Sequence, residues 1–261
     1  MIRLKVRVDN NLFERFYSKY TYEPKIETWF RGDIKSYRYN FKIFTQGGSF
    51  WMGYLHNSEK LTHRKHFLVI EFNPNKVSLN DYIFLDILSS FFSGDYEIVS
   101  YDWCVDLDVD INNVFYVRNG KHLVKVFDYG NSNKTIYIGQ GSGRVKIYNK
   151  AIEQGIKDKI WTRVEFSIIS NILRKNVVFY RVNLKLPEIY ILDQIPIIED
   201  LTLRALFWAV INGYSIDDLS RVYRDKIKGL MGNISPLRVD FDIIRDDLIN
   251  LVDYLSSLIK V

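Results

Sequence analysis

From Ile2 to about Ile191 the chain repeats apolar residues at every second position, in run after run. A period of two is the signature of strands that bury one face. IRLKVRV places Ile2, Leu4, Val6 and Val8 on one side, and YRYNFKIF places Tyr37, Tyr39, Phe41 and Ile43 on one side. The same reading makes strands of residues 66–72, 97–111, 122–127, 134–139, 143–148 and 161–169. The 18 Tyr and 17 Phe suit that assignment, because flat rings pack well on a pleated surface.

Helical spacing interrupts the strands. One helix is expected from near Asn11, carrying Leu12, Phe13, Phe16, Tyr17 and Tyr20. A second follows the Ser78-x-x-Asp81 capping pattern with Leu85, Leu88 and Phe92 inward, and a short third spans 150–158. Beyond about Asp193 strand signals cease. LTLRALFWAVI reads as an apolar helix, Ser215 and Asp218 open another, and Ser235-Pro236 supplies a cap and first turn for a last one. The expected fold is α+β: a mostly antiparallel sheet over residues 1–193, then a helical C-terminal region over 194–261. HFLVIEFNPNK with WCVDLDVDI echoes RVKIYNKAIEQ with WTRVEFSII, so either a duplicated strand–helix–strand unit or chance similarity accounts for the pair.

Formal charge is +5 over 261 residues, a mild lean toward a polyanionic partner. Cys104 is the single cysteine, which excludes an intrachain disulfide and a cysteine-built zinc site. No apolar run reaches the roughly 18 residues a membrane span needs, and the N-terminal residues lack a signal-peptide pattern. A soluble, cytoplasmic protein is expected.

Three segments carry candidate chemistry. In CVDLDVD a strand would turn Asp106, Asp108 and Asp110 to one face, and three like charges there need compensation. A hard divalent cation, Mg²⁺ or Mn²⁺, supplies it, and so does pairing with Lys or Arg. In WTRVEF, Arg163 and Glu165 share a face, and Glu165 would complete a carboxylate cluster if that strand neighboured the acidic one. In GSGRVKIYNK, Arg144, Lys146, Tyr148 and Lys150 alternate on one face around the hairpin-forming GQGSG turn. A tyrosine in a cationic stripe either covers lysine stems or is a phenol whose ionised form the charges favour.

The run TIYIGQGSGRVKIYNKAIEQG, residues 135 to 155, resembles the signature of the replication-initiation factor family. That family comprises rolling-circle plasmid and phage initiators and relaxases of integrative elements. The resemblance rests on Thr135-Ile136-Tyr137-Ile138-Gly139, Tyr148-Asn149-Lys150 and Glu153-Gln154, with VDLDVD and EFNPNK upstream and TRVEF downstream. It covers roughly residues 66 to 170. Cys104 stands where the family has an arginine, and Gly139-Gln140-Gly141 replaces its Gly-Ser-Arg turn. His63 and His66 lack the spacing of a histidine metal pair.

The resemblance implies a nicking–closing endonuclease with Tyr148 as nucleophile. Asp106, Asp108 and Glu165 would be ligands of a divalent metal, with Asp110 in reserve. Arg144, Lys146, Lys150 and Arg163 would contact DNA. Its partners would be single-stranded or cruciform origin DNA and a host or element helicase, and the helical tail is open to dimerisation or duplex binding. A relaxase, or a non-catalytic DNA-binding protein on the same fold, would share the pattern.

Overall fold

The computed structural model describes residues 1–30, 39–56, 66–117, 123–192, 197–234 and 236–259. The expected contributions of Tyr37, His63, His122, Asp193 and Ser235 lie outside them. In chain order the elements are β1 (Ile2–Arg7), α1 (Asn10–Tyr20), β2 (Ile26–Phe30), β3 (Tyr39–Thr45), β4 (Gly48–His56), β5 (His66–Phe72), α2 (Tyr82–Phe91) and β6 (Glu97–Leu107). Then come β7 (Val114–Tyr116), β8 (Val124–Asp128), β9 (Lys134–Ile138), β10 (Arg144–Asn149), α3 (Lys150–Glu153) and β11 (Thr162–Leu173). The chain closes with β12 (Ile189–Ile191), α4 (Leu201–Ile211), α5 (Arg221–Gly232) and α6 (Phe241–Ile259). The fold is α+β with a ten-stranded sheet whose paired neighbours run antiparallel, followed by helices, as the periodicity implied.

The chain forms two compact units. The first holds Met1–Asp102, Ile169–Val182 and Phe241–Val261; the second holds Trp103–Ile168 and Asn183–Asp240. The helical residues beyond 193 therefore contribute to both: α4 and α5 to the second unit and α6 to the first.

In the first unit the strand order is β2-β3-β4-β5-β1-β6. Aromatic rings seal helix to sheet, with Phe13 stacked on Tyr54 at 3.6 Å between centroids and Phe16 edge-on to Phe91 of α2 at 5.4 Å. Asp9 caps α1 through Asn11 and Leu12, and Asp81 itself, rather than Ser78, caps α2 through Ile83. Ile244, Leu248, Val252 and Leu255 of α6 are all buried.

The second unit carries β10, β9 and β8 with residues 162–168 of β11 and 103–107 of β6, and the separate β7–β12 pair. Val145, Ile147, Val164, Phe166, Ile136 and Ile138 form one core with Ile111, Val114 and Ile189, against which Trp103, Val105 and Leu107 pack. A second core gathers Phe207, Val210 and Ile211 of α4 with Ile227 and Met231 of α5.

Four further local expectations change. The strand from residue 97 stops at Leu107, because Asp110 turns to cap a 3-10 turn at Ile111–Asn113. Ser215 caps only the 3-10 turn Ile216–Asp218, and α5 starts afresh at Arg221. Pro236 bridges to Tyr190 as extended chain, so the last helix starts at Phe241. The helix after β10 lasts four residues, ending at Gly155 with a φ of 69°. The sequence echo does not extend to topology either: β1 separates β5 from β6, whereas β10 and β11 are direct antiparallel neighbours.

Phe166 is 1% exposed in the β-core of the second unit. Phe166→Ala is expected to cost roughly 3–5 kcal/mol, read as a lowered urea midpoint.

Candidate functional site

The candidate site residues all fall in the second unit, and Arg144, Lys146, Tyr148, Arg163 and Glu165 share the face of β10 and β11 that points away from the core. Residues opposite one another on antiparallel strands share a face, so the register defines rows of side chains. One row runs Arg163, Tyr148, Thr135 and Phe127 across β11, β10, β9 and β8. The next runs Glu165, Lys146, Tyr137 and Lys125, and Arg144 faces Ser167 beyond it. The GQGSG segment is the hairpin turn between β9 and β10, with φ of 80°, 63° and 82° at Gly139, Gly141 and Gly143. Only glycine takes that left-handed conformation without strain, so the turn and the register it sets depend on those three positions.

Asp106 meets Arg163 in a bidentate ion pair, Oδ1 to Nε at 2.7 Å and Oδ2 to Nη2 at 2.7 Å. The guanidinium lies 5.6 Å from the Trp161 ring centroid, and Lys159 Nζ sits 4.0 Å from the same ring. The Trp161 indole N–H faces the Asp106 carboxylate closely enough to favour its charge, yet makes no hydrogen bond of ordinary geometry. The Arg163 fork holds the Asp106 carboxyl below the usual carboxylate range, and the carboxylate in turn raises the arginine.

Tyr148 is only 6% exposed. Lys146 Nζ stands 4.0 Å from its ring centroid and Lys150 Nζ 5.7 Å. These cations do not dominate its ionisation. Burial pushes the phenol up to about 12, the Glu165 charge pushes the same way, and Arg163 only partly opposes them. The direction expected of a phenol ionised by its cationic neighbours is reversed: desolvation outweighs lysines that stand over the ring.

Arg144 donates from Nη2 to Ser167 Oγ at 3.1 Å and is exposed. Lys150 is buried and ion-paired with Glu153, at the start of α3 where Asn149 caps Ile152. Asp108 is exposed past the end of β6. Asp110 accepts from Asn112 N at 2.8 Å and from Ser132 Oγ at 3.0 Å, so it leaves the face expected for it.

These donors do not fit a divalent metal as arranged. The Asp106 oxygens are both taken by Arg163, and Asp108 and Asp110 diverge beyond the strand. Among the described residues no three His, Cys, Asp or Glu side chains are grouped to hold a metal ion. The acidic strand β6 and the Glu165 strand β11 are neighbours, as the Glu165 reading required, but Asp106, Asp108 and Glu165 as placed do not form such a group. Compensation by arginine, the other sequence-level possibility, is what the geometry contains. Sequence reasoning missed Trp161, which its chain neighbours bring under Arg163, and it passed over Phe127 and Lys125, whose strand was recognised but not its outward face.

Asp106 has a depressed pKa, so its pairing stabilises the fold above the unfolded carboxyl value of about 3.9 and is lost as pH falls through the lower folded value. Asp106→Asn should lower stability by about 1 kcal/mol at neutral pH, since the pair is partly exposed, and the gap from wild type should narrow at pH 3. Urea titrations at the two pH values check it. Tyr148 has the opposite sign: its neutral form is favoured, with stability present below about pH 10 and lost as pH rises through about 12. The ultraviolet difference titration of wild type against Tyr148→Phe should show one phenol still protonated near pH 11.

No family model and no curated protein matches the chain. A solved structure of a rolling circle replication initiator protein from Geobacillus stearothermophilus is similar over 92% of this chain and 96% of that one, at 11% identity and a TM-score of 0.38. Among the described residues no helix is long and apolar enough to cross a membrane.

Proposed function

We propose that this chain nicks and rejoins single-stranded DNA through Tyr148, the chemistry shared by rolling-circle initiators and integrative-element relaxases. The observation that carries the reading is the row in which Tyr148 stands directly opposite Arg163, with Lys146 over its ring. A phenol and a fork-shaped cation side by side on one sheet face are the groups that attack on a phosphodiester uses. The sequence resemblance over residues 135–155 supports the same assignment.

In the proposed step the Tyr148 oxygen attacks phosphorus and the bond from phosphorus to the 3′-oxygen breaks. The phenol proton ends on the departing oxygen, leaving a 5′-phosphotyrosine and a 3′-hydroxyl. One phosphodiester-level bond replaces another, so the reverse attack rejoins the strand without an external energy source. Arg163 would turn from Asp106 toward the phosphate as charge builds on its non-bridging oxygens, and Lys146 would neutralise the flanking backbone.

Burial of Tyr148 favours a second reading, a DNA-binding protein in which the ring only covers lysine stems. A denaturing gel after incubation with single-stranded origin oligonucleotides, in Mg²⁺, in Mn²⁺ and in chelator, separates the two. Wild type should form a covalent adduct and Tyr148→Phe none; an adduct of equal yield from Tyr148→Phe, or none from wild type, defeats the nucleophile assignment. With the phenol at about 12, the ionised fraction grows roughly tenfold per pH unit below that value. Single-turnover adduct formation should therefore accelerate between about pH 7 and pH 9, and a flat profile would count against attack limited by the phenolate.

A further inference from the structure

Next to the Tyr148 row, at the outer edge of the same sheet, Leu123, Lys125, Phe127, Tyr137, Gly139 and Arg144 line, with neighbouring turn residues, an open groove of about 410 Å³. We infer that this groove is a nucleobase subsite, in which Phe127 and Tyr137 stack a base of the single strand while Lys125 and Arg144 hold its phosphates. The inference rests on the proposed nicking activity only for the identity of the strand.

Three observations carry it. Phe127 leaves 46% of its surface exposed on an edge strand, where the uncovered part of the ring brings no burial energy. Its ring meets Tyr137 edge-on at 5.9 Å and 90°, so the two planes form a corner with one wall free for a flat ligand. Cations flank both rings: Lys125 shares its row with Tyr137 and Lys146, and Arg144 borders the groove from β10. Aromatic faces among cations suit a ligand that is a π-system on a polyanion, and single-stranded nucleic acid is that ligand; a purely apolar partner would leave the cations unmatched. Phe127 also stands in the Tyr148 row across Thr135, two strand spacings or about 10 Å away. A strand held for attack at Tyr148 and running across the sheet meets these rings next. The groove is built of adaptable stacking surfaces rather than a dense set of base-edge partners, so it would position the strand with little choice among bases.

The test is fluorescence anisotropy with a mixed-sequence single-stranded oligonucleotide, using the full chain carrying Tyr148→Phe so that no covalent bond forms. Adding Phe127→Ala should weaken binding roughly 5- to 150-fold, the worth of one stacked base. Phe127→Trp should retain it. Because stacking moves no charge, Phe127→Ala should leave the salt dependence unchanged, while Lys125→Ala should reduce its slope by about 0.7. A 2-aminopurine placed in the oligonucleotide should be quenched by the Phe127 protein and not by the Ala variant. Unchanged affinity in Phe127→Ala, or a loss that Phe127→Trp does not restore, overturns the subsite. The two readings fail separately: wild type forming no adduct while Phe127→Ala still loses affinity removes the nicking step alone, and an adduct with undiminished Phe127→Ala binding removes the subsite alone.

Discussion

The register between β10 and β11 is the constraint on which the second unit depends. Val145 and Ile147 face the core only while Val164 and Phe166 stand beside them, and Tyr148 faces Arg163 only in the same alignment. A slip of β10 by one residue would send Val145 and Ile147 to water and turn Lys146 into the core. The core and the candidate site are thus two sides of one alignment. The apolar side supplies the energy that fixes it, and the polar side receives its geometry from it.

On that polar side electrostatics and desolvation work against each other. The Asp106–Arg163 pair stays half in water, where a bidentate fork still gives a defined direction to the guanidinium. Tyr148, one strand over, is covered well enough that burial outweighs the cations around it. A neutral, shielded phenol thus stands beside an arginine whose fork is already engaged by a carboxylate.

Much of the fold was legible because strands with one buried face announce themselves residue by residue. The faces of β1, β10 and β11 follow directly from where Ile2, Leu4, Val145 and Val164 sit in the chain. Strand ends were not legible. Asp110 reads like Asp106 and Asp108 until its side chain is seen capping Asn112, a local bond that competes with the ladder. Partners were not legible either. Arg163 lies 57 positions from Asp106, and the pairing of β6 with β11 brings the two side by side. Tyr148 does share a face with Arg144 and Lys146, as the alternation placed it, but the sign of its ionisation depends on burial, which the cationic stripe in the sequence does not report.

The placement of α6 bears on how such a chain emerges from a ribosome. Ile244, Leu248, Val252 and Leu255 are buried in the unit that begins at residue 1, yet they are made only after residues 103–240. At ordinary elongation rates that interval is on the order of ten seconds. For that time the β1–β5 sheet and its aromatic helices wait without their closing helix, while most of the second unit's segments already exist. The tyrosine-bearing unit is therefore the one whose parts are complete first, and the unit that starts the chain is the last to close.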